Sequence, residues 1–203
     1  MQFDFSQKRL LEKKQFRFIE DGVFIRLTFA GKVHEYELKY ENIGYKVIYW
    51  KNGLNVFLIL AAFFIVASIG MHYDTSENKV DLFGQIFAIL LIPLCIALYF
   101  LTYKRARYLT GQGVPQPIEL FSNKPDTEAV DNFIDEILSR RKQFLAQRYM
   151  QFNRNLSFEP QYYNLNWLLE TEVINKQEYD QKLAELNGLY PSAAIVTGFR
   201  IGN

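Results

Sequence analysis

Two long apolar blocks interrupt a chain in which polar and hydrophobic residues are otherwise mixed. The first block runs from Gly53 to Tyr73 and the second from Leu82 to Tyr103, and neither contains Asp, Glu, Lys or Arg. About 20 helical residues span the roughly 30 Å hydrocarbon core of a bilayer. Because the buried helices of soluble domains rarely lack charge on every face, these blocks predict a hairpin of two transmembrane helices.

The charges that flank the blocks predict how the hairpin is oriented. The short connection between the blocks is acidic, with Asp74, Glu77 and Asp81. Lys and Arg gather on the other side, and segments rich in these residues stay in the cytoplasm. Both termini are therefore expected inside and the acidic loop outside. The residues predicted at the inner membrane interface are Lys46, Trp50, Lys51, Tyr103, Lys104, Arg105 and Arg107.

The segment before the first block predicts a run of short antiparallel strands from Gln15 to Trp50. Apolar residues recur at every second position from Val23 to Phe29, which is the period of a half-buried strand. Glu20-Asp21-Gly22 and Ala30-Gly31-Lys32 are typical turn sequences between such strands. The preceding residues, Phe5 to Lys14, have the spacing of a short helix.

The segment after the second block predicts two further strands and a helix. The strands are expected at Arg107 to Leu109 and Ile118 to Phe121, and the helix begins at Pro125-Asp126-Thr127 with Asp126 as its N-cap. Acidic residues at its start and basic residues at its end suit the helix dipole. One face of this helix carries a stripe of apolar residues, namely Val130, Phe133, Ile134, Ile137, Leu138, Phe144 and Leu145.

This order of elements resembles a known family. Short strands that include Tyr40 to Ile43, followed by a strand and a closing helix (IELFSNKPDTEAVDNFIDEIL), look like the bacterial pleckstrin-homology-like domains that are often fused to membrane hairpins. The resemblance covers roughly Gln15 to Phe144 without the spans. It implies an antiparallel sheet on the cytoplasmic side of a bacterial inner membrane, interrupted by the hairpin and closed by an amphipathic helix. The expected parts are strands in 1–52, the hairpin in 53–103, the remaining strands and the closing helix in 104–150, and a helical arm and tail in 151–203.

The C-terminal arm is similar to a second family over Leu165 to Leu186. The bacterial module SHOCT consists of two small helices joined by a turn, and here Asn175 would cap the second helix with Glu178 as its capping-box partner. The chain departs from the family at Glu172, where Gly is usual, and at Asn175, which replaces Thr. So short a module must bury its apolar face on something. The predicted contact residues are Leu165, Leu168, Leu169, Tyr179 and Leu183.

The remaining composition argues against several classes of function. Lys plus Arg total 23 against 22 Asp plus Glu, without the basic excess usual for binding nucleic acid. The single cysteine, Cys95, excludes an internal disulfide. His34 and His72 lack the spacing of a metal site, and Gly111-Gln112-Gly113 lacks the other residues of a phosphate loop. We therefore expect no catalysis, cofactor, metal or small-molecule substrate.

Binding remains as the expected function. The chain would act at the membrane as a platform for itself, as a homo-oligomer, or for a protein partner. The basic group near the interface recognises anionic lipid headgroups or simply sets the topology. One alternative is an immunity or inhibitor protein that protects the membrane from a toxin through the acidic outer loop. Another is an oligomeric channel or transport accessory, although neither span carries a charge to line an ion path.

Overall fold

The fold combines two β-sheets with helices. The computed structural model describes residues 2–73, 82–111 and 116–190. Within these residues the chain is a mixed α+β fold with antiparallel sheets and five α-helices, as the sequence predicted at this level. The strands are β1 (Phe5–Arg9), β2 (Glu12–Ile19), β3 (Gly22–Phe29), β4 (Lys32–Lys39), β5 (Lys46–Asn52), β6 (Lys104–Thr110) and β7 (Ile118–Phe121). The helices are α1 (Val56–Tyr73), α2 (Leu82–Thr102), α3 (Thr127–Tyr149), α4 (Phe158–Glu170) and α5 (Lys176–Leu189).

The chain divides into two compact units. The first unit contains the described residues up to Ile48 and those from Arg107 onward. The second unit, Tyr49–Ala106, contains α1 and α2 with the adjoining ends of β5 and β6. The apolar blocks therefore form a unit of their own, inserted between two strands.

The first sheet has the order β1-β2-β3-β4, in which each strand pairs antiparallel with the next. The predicted strands and turns between Gln15 and Lys39 are confirmed. The helix predicted over Phe5 to Lys14 is wrong, because these residues form β1, a turn and the start of β2. Phe5 explains the difference: its ring stacks on Phe133 of α3 with centroids 4.2 Å apart. Packing in the core thus overrides the weak local spacing.

The core of the first unit lies where α3 packs against the strands. Asp126 caps α3 as predicted, since its side chain accepts a hydrogen bond from Ala129 N at 2.7 Å. The predicted apolar stripe faces this core, with Val130 and Ile137 fully buried. The other buried members of the core come from the strands and from the turn after β4, namely Phe16, Val23, Ile25, Leu38, Tyr40, Ile43, Leu109, Ile118 and Leu120.

The second sheet has the order β5-β6-β7, which confirms the strands predicted near Arg107 and at Ile118–Phe121. The chain just before β5 approaches the end of β6 very closely. A Cβ atom on Gly44 would lie 2.3 Å from backbone atoms of Thr110. Glycine is therefore required at this position.

The second unit is dominated by α1 and α2, which pack against each other. Among the described residues of α1 and α2, those that are buried are small, namely Ala61, Ala88 and Cys95, and small side chains let two helices approach closely. Among the described residues, α2 is the one helix long and apolar enough to cross a membrane, over Phe83–Thr102. The apolar part of α1, Val56–Met71, is shorter. Helix α1 begins at Val56 and thus leaves Gly53 to Asn55, the first residues of the predicted block, outside the helix.

Candidate functional site

Five of the predicted interface residues lie together in the second unit, on two neighbouring strands or immediately before one of them. Trp50 and Lys51 belong to β5, Lys104 and Arg105 belong to β6, and Tyr103 immediately precedes β6. Trp50 is 53% exposed, and Lys51 and Arg105 are also exposed. We call these five residues the aromatic–basic collar. They combine rings that favour a membrane interface with cations that favour anionic headgroups.

The collar is held in place by contacts around Tyr103. Tyr103 N donates to the carbonyl of Tyr99 at 2.9 Å, and the two rings lie 5.9 Å apart. The guanidinium carbon of Arg105 lies 5.6 Å from the centroid of the Tyr103 ring, within the range of a cation–π interaction. A Cβ atom on Gly53 would lie 2.8 Å from the Tyr99 ring. The absence of a side chain at Gly53 therefore leaves room for the tyrosine rings.

The other two predicted interface residues belong to the first unit and differ from each other. Lys46 is exposed, and its Nζ lies 5.4 Å from the Tyr45 ring centroid. Arg107 is buried, and its guanidinium forms an ion pair and hydrogen bonds with Asp131 of α3. A buried, paired arginine cannot reach a lipid headgroup, so the assignment of Arg107 to the interface is corrected. The predicted outer-loop contacts, Asp74, Glu77 and Asp81, lie outside the described residues.

The C-terminal arm has the two helices and the turn that the sequence predicted. The capping box is confirmed: Glu178 N donates to Asn175 Oδ1 at 2.9 Å, and Asn175 N donates to Glu178 Oε2 at 2.8 Å. At the end of α4, Val173 N donates to the Leu168 carbonyl and Glu172 N to the Leu169 carbonyl. This is a Schellman motif, whose left-handed position favours glycine. Glu172 occupies it with φ of 59°, at the position where the sequence departs from the SHOCT pattern.

The apolar face of the arm packs against the second half of α3. Leu165 and Leu168 are fully buried in a cluster with Leu145 of α3. Leu169 and Leu183 are partly buried against the same cluster. This part of the predicted contact surface is thus covered by the chain itself and not by a partner. The sequence analysis assigned the whole apolar stripe of α3 to the strand core, and so it missed that Leu145, at the far end of the stripe, packs with the arm.

Tyr179 anchors α5 within this cluster. Its hydroxyl donates to Asn166 Oδ1 on α4 at 2.6 Å. Burial raises the pKa of Tyr179 to about 12, and a hydrogen bond with Tyr162 contributes to the same rise. The neutral phenol is therefore the form that the folded arm stabilises.

Arg141 joins the arm to the rest of the first unit, and the sequence did not identify it. This α3 residue is 3% exposed. Its Nε donates to the Ile43 carbonyl at 3.0 Å, and its Nη1 donates to the Thr171 carbonyl at 3.3 Å. Desolvation lowers the pKa of Arg141 from its ordinary value. Helical spacing contained the signal, since Arg141 lies four residues after Ile137 and four before Leu145 on the same helix face.

A second buried cation, Lys14, lies on the inner face of the first sheet. Its Nζ is 3.0 Å from Glu119 Oε2 and 3.3 Å from Glu12 Oε1, and it lies 4.4 Å from the Phe121 ring centroid. A cavity of about 270 Å³ beside it is lined by Phe16, Ile25, Tyr36 and other side chains. The alternation of the strand predicts this burial, because Lys14 lies two residues before Phe16 and therefore on the same face of β2.

Comparisons with protein-family models, with curated proteins and with solved structures found no match to this chain. Within the described ranges, no group of three or more His, Cys, Asp or Glu side chains is placed to hold a metal ion. The function of this chain is therefore inferred from the geometry of its own residues.

Proposed function

We propose that the chain is a non-enzymatic protein of a bacterial inner membrane, anchored by α1 and α2, whose pleckstrin-homology-like unit serves as a cytoplasmic platform for binding or assembly. The observation that carries this proposal is the exposure of α2. Only 11% of its most apolar stretch is buried within the chain. A core helix of a soluble domain would be mostly buried.

Large apolar side chains on both helices point away from the chain. They include Val66 and Phe63 on α1 and Phe83 and Phe100 on α2, each more than 60% exposed. Soluble monomers rarely expose contiguous apolar patches larger than a few hundred Å², whereas a bilayer solvates such a surface. Because α1 carries no charged residue and packs on α2, both helices would cross together as a hairpin.

The collar supports an orientation with both termini in the cytoplasm. Trp50 and Tyr103 would lie at headgroup level. Lys51, Lys104 and Arg105 would stay on the inner side, each contributing about 1 kcal/mol of attraction to anionic lipids. The collar thus combines topological and lipid-binding roles in one place.

Two features of the first unit support the proposed family relationship. A four-stranded and a three-stranded sheet, with α3 packed on the strand core, are the elements that a pleckstrin-homology-like domain requires. The left-handed Glu172 supplies a physical reason for the glycine usual in SHOCT modules. An interaction unit of this kind, without a recognisable catalytic constellation in the sequence, fits a role in binding.

The experiment is extraction followed by labelling of single cysteines. The chain should stay in membranes after carbonate extraction. In a Cys95→Ala background, Ser76→Cys should react with an impermeant maleimide in intact spheroplasts, and Ser6→Cys should react only after permeabilisation. Release by carbonate would overturn the membrane assignment, and the reverse labelling pattern would overturn the orientation. A monomer without a stoichiometric partner after mild detergent extraction would overturn the platform role.

A further inference from the structure

The first sheet ends at β4, which has one strand neighbour within the described part of the chain. That neighbour is β3, and the strand order stops at β4. Six of the eight residues of β4 are exposed. The free side of an edge strand carries a row of backbone N–H and C=O groups that can pair with another strand. This edge is therefore a surface to which a further strand can be added.

The side chains of β4 set the chemistry that an added strand would need. Tyr36 and Leu38 lie opposite core residues of β3 and are turned toward the core, where Leu38 is buried. Glu35 and Glu37 alternate with them on the outer face and are exposed. A matching strand would place apolar side chains on the inner face and a cation on the outer face.

The sequence of residues 195–201, IVTGFRI, has this pattern. These residues lie outside the described part of the chain, and their β-branched and aromatic composition is typical of strands. Antiparallel pairing that sets Arg200 opposite Glu35 also sets Phe199 opposite Tyr36. Arg200 is then directly or diagonally adjacent to both outer-face glutamates of β4, and the apolar residues of the segment share the inner face.

A cavity on the inner face of the sheet leaves room for such a strand. It is the cavity of about 270 Å³ beside Lys14, and its lining includes Leu27 of β3 and Tyr36 of β4. In the register just given, the ring of Phe199 would lie next to Tyr36 and therefore beside this cavity. Burial of the ring there would remove apolar surface from water.

The point where residues 191–203 leave the arm favours a strand from another molecule. The Tyr190 ring packs on Phe158, at the start of α4, with centroids 5.9 Å apart. Thr171, at the other end of α4, lies near Ile43, just after β4, because one arginine binds both carbonyls. The 13 residues of α4 are about 20 Å long, whereas residues 191–194 reach about 14 Å when fully extended.

We infer that residues 195–201 of one copy add as an antiparallel strand to the β4 edge of a second copy. Main-chain hydrogen bonds would supply the affinity, and the alternating side chains would supply the specificity. Reciprocal exchange would close the assembly as a symmetric dimer. The inference rests on the proposed function and deepens it, since it names a second copy of the chain as the partner of the platform.

The test is disulfide trapping between two differently tagged full chains that are co-expressed in a Cys95→Ala background. One chain carries Lys39→Cys and the other Val196→Cys, at positions that lie opposite each other in the inferred register. Oxidation in the membrane should link the two chains into a heterodimer. With Lys8→Cys on β1 in place of Lys39→Cys, the yield should be at least about tenfold lower, because distant cysteines cannot form a disulfide.

Charge exchange tests the register. Arg200→Glu in the chain with Val196→Cys should lower the yield of heterodimer about threefold, since it sets like charges next to each other. Glu37→Arg in the chain with Lys39→Cys should restore the yield. Failure of this pair of substitutions to restore it, after a loss with Arg200→Glu alone, would overturn the inferred register.

The remaining outcomes separate this inference from its alternatives. A disulfide formed within a single chain that carries both Lys39→Cys and Val196→Cys, without heterodimer, would assign the strand to its own molecule and overturn the inference. Predominant links between two Lys39→Cys chains, or no link at all, would also overturn it. An oligomer that persists without the link would leave the platform role standing. Release of the chain by carbonate would count against the membrane anchor, and trapping would then be repeated on the chain in buffer.

Discussion

The side chain of Gln7 pairs with the main chain of Phe121 as a neighbouring strand would. Gln7 Oε1 accepts from Phe121 N at 2.9 Å, and Gln7 Nε2 donates to the Phe121 carbonyl at 2.9 Å. Gln7 is 1% exposed on β1, and Phe121 ends β7. One amide group thus joins an edge strand of the first sheet to an edge strand of the second.

Replacement of Gln7 should therefore destabilise the first unit. Gln7→Ala leaves the donor and the acceptor of Phe121 without these bonds, and each buried unsatisfied group costs about 1–3 kcal/mol. We expect the free energy of unfolding to fall by about 2–4 kcal/mol. Urea unfolding, followed by the fluorescence of Trp167 in a Trp50→Phe background, measures this loss.

The matched control is Gln15→Ala on β2. Gln15 lies on the opposite face of the sheet from Gln7 and Lys14 and is partly exposed. Its loss should therefore change the free energy of unfolding by less than about 0.5 kcal/mol. Equal effects of the two alanine variants would show that the bridge between the sheets contributes nothing.

Arg141→Met should loosen the arm. The substitution keeps much of the side-chain volume but removes the donors to the Ile43 and Thr171 carbonyls, and hydrogen bonds from charged donors contribute about 1.5–3 kcal/mol each. We expect a loss of about 2–4 kcal/mol in the free energy of unfolding and faster amide exchange in α4 and α5. Exchange mass spectrometry, with exposed Lys142→Met as the control, measures both. If the amides of the arm stay protected in Arg141→Met, Arg141 does not hold the arm in place.

The sequence predicted the elements that depend on periodicity and failed where a polar side chain points inward. Alternation located β2 to β4, and helical spacing with the Asp126 cap located α3. Gln7 and Arg141 were missed because polar residues in a strand or on a basic helix end look like surface residues. Which side chains meet across elements depends on long-range packing, which a local pattern does not contain.

Glu172→Gly should stabilise the arm. A left-handed backbone costs a residue with a Cβ atom about 1–2 kcal/mol, and glycine removes this cost while losing some of the gain to the greater entropy of the unfolded chain. The expected gain is about 0.5–1 kcal/mol in the free energy of unfolding. Glu172→Ala removes the carboxylate but keeps the Cβ atom and should show no such gain. Equal stabilisation by both variants would point to the charge instead.

The arm should become less stable as the pH rises from 10 to 12. The pKa of Tyr179 is about 12 in the folded chain against an ordinary value of 10.0. A raised folded-state pKa stabilises the fold fully below the unfolded value, and this contribution is lost as the pH rises through the folded value. Urea unfolding at several pH values, followed by Trp167 fluorescence in the Trp50→Phe background, tests this dependence. Tyr179→Phe should weaken it, and an unchanged slope would contradict the assignment to Tyr179.

Helix α3 serves two cores along its length: Val130 to Ile137 pack with the strands, and Leu145 packs with the arm. The arm therefore has no complete hydrophobic core without this helix. A fragment that begins at residue 151 would be expected to remain largely unfolded, however closely its sequence resembles an autonomous module. Conversely, a truncation after residue 150 would expose Leu145 to solvent and leave an apolar surface at the end of α3 that promotes aggregation. The folding unit at this end of the chain is therefore the long helix together with the pair of helices that covers it.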